Sequence, residues 1–349
     1  MSVTVHQRPG VYSSYDASSV VSGGSRGRMV GIVAVNAVGK TGEVHIVTGY
    51  EKAVERFGVG ELAELVRMVL KNGARGAAVA AVADAADYEA AFTALAEVED
   101  ISVVICDSTE TAVQQKLKES VAQASAQRME RIAVVGGGAN ESVDTLVARA
   151  EALNSERVVL VAPGAVDGEG EALSGVQVAA AVAGVLAGET DPAIPLGGAE
   201  LLGLKGLAER YSENDLDRLI LGGVTPVENL GGTVSVVRGV TTRTTSGGAE
   251  DSTWRDLATI RVVDDVIPTL RQALRAKFRR AKNTQRGRGA IRAQVVLELE
   301  NKLAKEIITG YENVAVTADP EDPTRCLVDF SFTVAHGLNQ IWLTAHITV

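Results

Sequence analysis

Aromatic residues are scarce: five Phe, six Tyr and two Trp make up 4% of 349 residues. A core of ordinary size must therefore rest on Val, Leu, Ile and Ala, and the chain is 46% hydrophobic. Cysteine is scarcer still. Cys106 and Cys326 are too few and too far apart for a disulfide framework or a zinc site, and they read as small apolar residues in a reducing compartment. Four histidines, His6, His45, His336 and His346, have no His or carboxylate partner at ligand spacing on a helical stretch, which argues against a metal centre. Cationic excess is also missing: 44 Asp and Glu against 34 Lys and Arg give a net charge of −10. That balance argues against nucleic acid as a general partner. The longest apolar run, from Val176 to Ala187, falls short of the roughly 20 residues a membrane span requires. The opening residues show no basic-then-apolar leader. The expectation is a soluble protein made in a cytoplasm.

What is present is a repeated switch between short apolar runs and helical stretches. Met29–Val35, Ala77–Val82, Ile101–Cys106, Ile132–Val135 and Val158–Ala162 are apolar on both faces, as strands buried in a parallel sheet are. Between them lie helical stretches at Asp87–Glu97, Thr109–Met129, Ser142–Leu153 and Gly175–Gly188, several preceded by capping residues such as Ser108 and Ser142. Strand–helix alternation of this kind predicts a parallel α/β sheet.

Ahead of this region, Val3-Thr4-Val5 alternates like a strand and is followed by Pro9-Gly10 and a Ser/Gly-rich stretch, which together read as a strand on a flexible arm. Pro192, Pro195, Gly197 and Gly198 interrupt the pattern and open a second region. There the periodicity predicts a strand at Gly232–Arg238 and helices at Ile267–Phe278 and Ala290–Ile308, with Ile291, Val295, Leu299, Leu303 and Ile307 on one face. Val328, Phe330, Phe332 and Val334 alternate with polar residues, and so do Ile341, Leu343, Ala345, Ile347 and Val349 after a turn-prone His336–Gln340. This pattern predicts an antiparallel hairpin whose second strand is an unprotected edge. The expected organisation is an arm over 1–28, a parallel-sheet α/β domain over 29–190, and an α+β domain over 191–349 that ends in a strand.

Candidate chemistry is thin. Ala34–Thr41 follows an apolar strand and approximates a phosphate-binding loop, with Lys40 and Thr41 in place and Asp107 at the end of another apolar strand as a possible magnesium ligand. The mechanism needs a helix to begin at Lys40-Thr41, yet Gly42–Val47 reads as a strand. Gly136-Gly137-Gly138 lacks dinucleotide-loop spacing, and no Ser sits in a nucleophile elbow. A nucleotide hydrolase using Lys40, Thr41 and Asp107 is the alternative to a non-enzymatic structural protein without cofactor.

One stretch runs against the acidic balance. Arg271, Arg275, Lys277, Arg279, Arg280, Lys282, Arg286, Arg288 and Arg292 fall within 22 residues that contain no Asp or Glu. On a helix, Arg271, Arg275, Arg279 and Lys282 would share a face. Such unbalanced charge favours an acidic protein surface as partner. A merely solvated basic surface is the plainer alternative, and nucleic acid the weakest, since only Phe278 interleaves the basic residues.

Several segments resemble contractile tail sheath proteins of bacteriophages and phage-tail-like particles. They are Arg8-Pro9-Gly10-Val11-Tyr12, Glu189-Thr190-Asp191-Pro192 leading to Pro195-Leu196-Gly197 and Leu204-Lys205-Gly206-Leu207, Val237–Thr244, and Trp254–Asp264. The order and spacing of these segments carry the resemblance, and the middle domain matches in layout. The resemblance implies a non-enzymatic subunit that polymerises helically around an inner tail tube and contracts from a metastable state. It also implies contacts with baseplate and tail terminator proteins. In such sheaths an N-terminal arm and a C-terminal strand complete sheets in neighbouring subunits, which here assigns strand exchange to Val3, Val5, Val11, Ile341, Leu343, Ala345, Ile347 and Val349. The basic stretch, Arg271 to Arg286 in particular, is then the expected tube contact.

Overall fold

A computed structural model describes residues 28–346 apart from 41, 167–169, 171, 173 and 340. The expected arm, with Val3, Val5 and Val11, and the last exchange residues, Ile347 and Val349, lie outside the described residues, as does Thr41.

The apolar runs become strands that need cover on both faces. β1 (Met29–Val35), β2 (His45–Val47), α1 (Tyr50–Phe57), α2 (Glu61–Lys71), β3 (Gly76–Val82), α3 (Tyr88–Ala96), β4 (Ile101–Cys106), α4 (Thr111–Ala126), β5 (Ile132–Gly136), α5 (Val143–Leu153), β6 (Val158–Ala162), α6 (Val176–Gly188), α7 (Glu213–Leu221), β7 (Val224–Leu230) and β8 (Thr233–Val236) build one eight-stranded sheet with its covering helices. The strand order is β2-β3-β1-β4-β5-β6-β7-β8; β3 through β7 run parallel, while β2 and β8 are antiparallel edges. Alternate residues of each strand feed two cores. Val30, Ile32, Val79, Ile105 and Val161 pack with α1, α2 and α6, and Val33, Ala80, Val104, Val135 and Leu160 pack with α3, α4, α5 and α7. The expected boundary at 190/191 falls inside this sheet, because β7 and β8 lie beyond it.

The Gly136-Gly137-Gly138 run acquires a structural reason. A Cβ on Gly136 would lie 2.2 Å from the carbonyl carbon of Gly175, so the glycines after β5 permit two backbones to cross at close range. Beyond them, Ser142 caps α5 by accepting from the Thr145 amide, as its position in the sequence predicts.

After a small hairpin, β9 (Thr245–Ser246) and β10 (Ala249–Glu250), a second unit with its own core begins. α8 (Leu257–Phe278) starts ten residues before the expected Ile267. Asp256 caps it by accepting from the Ala258 amide, and Pro268 sits inside the helix rather than at its start. α9 (Gln285–Ala304) is capped by Thr284 and ends short of the expected Ile308, where β11 (Ile308–Ala318) opens instead. β12 (Cys326–Val334) pairs antiparallel with β11. Val262, Val266, Leu270, Val295, Leu299, Ile307 and Ile308 form the buried centre of this unit, with Val328, Phe330, Phe332 and Val334 half-buried against it. Among the described residues, no helix is long and apolar enough to cross a membrane.

Charged ties join this unit to the sheet. Arg157 donates through both terminal nitrogens to Asp264 on α8, at 2.7 and 3.0 Å, with side chains only 15% and 12% exposed. Arg271 donates to Glu130 at 2.7 Å. Burial pushes the Asp264 carboxyl above its usual range despite the adjacent guanidinium, so the Arg157–Asp264 pair fixes geometry more than it adds stability. Replacing Arg157 by Ala is expected to lower the unfolding free energy by about 3 kcal/mol in a urea titration, because a buried carboxylate loses its partner. The R157M/D264L double variant should recover most of that loss; equal losses in both variants would count against an unpaired charge as the cause.

Candidate functional site

The phosphate-loop candidate does not form a phosphate site. β1 ends at Val35, and the chain turns through residues 36–39, where the Gly39 amide donates to the Asn36 carbonyl. No helix begins at Lys40; the next element is β2, and α1 starts only at Tyr50. Lys40 lies on the surface 3.7 Å from Glu43. Asp107 has both carboxylate oxygens engaged, one accepting from the Val35 amide at 2.7 Å and the other from the Tyr88 hydroxyl. Burial and that carboxylate push the Tyr88 phenol well above its ordinary range. Asp107 is therefore a clasp between β1, β4 and α3. No group of three or more metal-ligating side chains occurs among the described residues.

The hairpin at the end of the chain is real, but its second strand is not the expected one. β12 pairs with the preceding β11, from Ile308 opposite Val334 to Ala318 opposite Cys326. The turn is made by 319–325, where Asp319 and Asp322 accept from the amides of Glu321 and Thr324, and Arg325 pairs with both acids. That Asp/Pro-rich signal outcompetes His336–Gln340 as a hairpin turn. After β12 the chain crosses Pro195, so closely that a Cβ on Gly337 would sit 2.6 Å from the proline Cβ. Ile341, Leu343 and Ala345 then belong to no strand and are exposed, Ile341 by 79% and Leu343 by 91%.

Along β12 the inner residues Val328, Phe330, Phe332 and Val334 alternate with exposed Leu327, Asp329, Ser331 and Thr333. This matches the period read from the sequence. β11 and β12 form a two-stranded sheet, and no further strand pairs with either outer edge among the described residues. An isolated pair of strands is marginal in water, and 11 and 9 residues is a long edge to leave open.

The basic stretch is an elbow rather than one helix: the end of α8 from Arg271 to Phe278, a connector over 279–284, and the start of α9 from Gln285 to Arg292. Arg271, expected with the others to face a partner, is engaged with Glu130. Lys277 donates to Gln294, Arg288 to Asn283 and Arg292 to the Val314 carbonyl. Arg275, Arg279, Arg280, Lys282 and Arg286 are exposed and have no ion-pair partner among the described residues. Cations at the end of α8 suit its dipole, but Arg286 and Arg288 occupy the first turn of α9, where the dipole opposes them. Helix stability does not explain that placement.

Residues 81–242 match the family model for the phage tail sheath protein central domain, and residues 249–348 match that for the phage tail sheath C-terminal domain. A tail sheath protein of Bacillus phage SP01 is 26% identical over 306 residues, which cover 86% of this chain and 51% of that protein. The chain thus spans about half the length of this curated relative. Among solved structures, a chain of the anti-feeding prophage baseplate superposes with a TM-score of 0.73 at 15% identity, covering 99% of this chain and 100% of its own. The helical sheath of the same prophage in its contracted state gives 0.71 at 14% identity, covering 98% and 99%. A sheath tail protein from Desulfitobacterium hafniense gives 0.69 at 14% identity, covering 93% and 100%. At such identities these likenesses speak to the fold, while the two consecutive domain matches, in the order the family requires, speak to descent. The chain belongs to the phage tail sheath family.

Proposed function

We infer that this chain is the structural subunit of a contractile sheath, polymerising helically around an inner tail tube and shortening from a metastable extended packing. The observation that carries this reading is the open two-stranded sheet of β11 and β12, next to a chain end that presents Ile341, Leu343 and Ala345 to solvent. Strands donated by neighbouring copies satisfy both edges: the segment from 341 onward, with Ile347 and Val349, at one edge, and the N-terminal segment bearing Val3, Val5 and Val11 at the other. Main-chain hydrogen bonds supply the affinity and alternating side chains set the register. Each donated strand gains about 1.5–3 kcal/mol for every large aliphatic side chain it buries. It loses about 1–2 kcal/mol for every backbone residue it orders. A single exchange is therefore weak, and its strength in a lattice comes from many simultaneous exchanges. A head-to-tail contact of this kind does not close on itself and generates a helical filament.

Contraction on this reading uses no nucleotide. The extended state is held kinetically, and subunits turn as rigid bodies toward a better-buried packing while their exchanged tips keep them connected. The exposed cations of the elbow dock the subunit on an acidic tube, through contacts that weaken with salt. Baseplate and terminator proteins cap the two ends of the polymer. The particle is a phage tail or a phage-tail-like device.

Electron microscopy of the purified chain is expected to show striated tubes without ATP, and Lys40→Ala should form them equally well. Chains lacking residues 1–27 or residues 341–349 should remain folded by circular dichroism yet fail to form tubes; ordered cylinders from a chain lacking both segments would contradict strand exchange. Charge reversal of Arg275 and Arg279 together should abolish association with inner tubes at low salt in a sedimentation assay. Unchanged sedimentation at low and high salt would remove the elbow from the tube contact.

A further inference from the structure

The basic elbow borders a cleft rather than a flat surface. Between the end of α8, the connector, the start of α9 and the β11–β12 turn lies an open cleft of about 620 Å³. Leu274, Phe278, Ile291 and Val328 form its apolar wall, and Lys282 and Arg288 stand at its rim. Leu274 and Val328 also pack against the core of the second unit, so the cleft is the unfilled end of that core. Arg275, Arg279, Arg280 and Arg286 are their close neighbours along the chain and are exposed.

The combination restricts the occupant. A wholly apolar partner would bring no countercharge to the cations, and a wholly acidic one would leave water against Phe278 and Ile291. The two terminal segments of this chain lack the needed charge: residues 1–27 hold Arg8 and Arg26 against Asp16, and residues 335–349 contain no Asp or Glu.

We propose that the cleft is an anchor pocket for an acidic protein surface that inserts one aliphatic or aromatic side chain flanked by carboxylates, and that this surface is the outer wall of the inner tube. The proposal rests on the reading of the elbow as a tube contact and adds to it a component that salt does not screen. Carboxylates on the cations steer and orient the subunit, whereas the inserted side chain sets how slowly it leaves. A sheath held by charge alone would detach wherever ionic strength rose; an anchor lets the extended state persist.

The test is sedimentation of the full-length chain with inner tubes prepared from the same particle, at low salt and at about 1 M salt, where the screening length falls to about 3 Å. Self-polymerisation serves as the control for folding. Wild-type chain should keep a residual association at high salt. Ala281→Trp, which fills the cleft from the connector, and Ile291→Asn, which makes its wall polar, should each weaken low-salt binding about tenfold and remove the high-salt residue. The R275E/R279E variant should lose low-salt binding yet keep the high-salt residue. Wild-type binding by both cleft variants at both salt concentrations would overturn the anchor and leave the charged contact standing. Wild-type low-salt binding by R275E/R279E would overturn the tube contact itself, and the anchor with it.

Discussion

Backbone groups along the outer edges of β11 and β12 are the constraint around which the C-terminal half is arranged. A two-stranded ribbon of this length has one face on α8 and α9, but its inner side chains reach only partial burial. A third and fourth strand would extend the cover over Phe330 and Phe332 and pair the remaining amides and carbonyls. On the proposed reading those strands come from neighbouring copies, and the exposed apolar alternation at Ile341, Leu343 and Ala345, beyond the point where the chain passes Pro195, is one donor.

The rest of the molecule supplies stiffness. Eight strands buried between two helical layers give a body that does not deform easily. Arg157–Asp264 and Arg271–Glu130 tie α8 to that body, and Lys302–Asp265 ties α9 to α8. Buried pairs of this type add little net stability, but they define one relative placement of the second unit and the sheet. On the proposed reading, motion during contraction is concentrated at the connections between subunits, and the same rigidity carries the elbow and its cleft as a fixed unit.

The sheet was legible in the sequence because its interior strands carry apolar residues on both faces and are punctuated by caps such as Ser142. Period-two patterning likewise identified β12 and its inner face correctly. That alternation does not name its partner, because it marks a strand without its neighbour, and the Asp319–Arg325 turn signal lies in a stretch that lacks it. α1 and α2 went unnamed although Leu62, Leu65, Val66 and Val69 carry a helical stripe. α8 was started too late because a proline is a common first residue of a helix and an uncommon interior one. The basic cluster was visible as composition; its division into helix end, connector and helix start was not, because capping by Thr284 is a local event within a stretch otherwise dominated by charge. The cleft was not visible at all, being formed by segments some 40 residues apart, Phe278 and Ile291 on one side and Val328 on the other.

A density map of the assembled polymer would test strand exchange most directly. Four strands are expected in the C-terminal sheet of every subunit, with β11 and β12 inside and the outer two traced to the N-terminal segment and the final segment of neighbouring copies. Outer edges left open, or occupied by the subunit's own termini folded back, would contradict it.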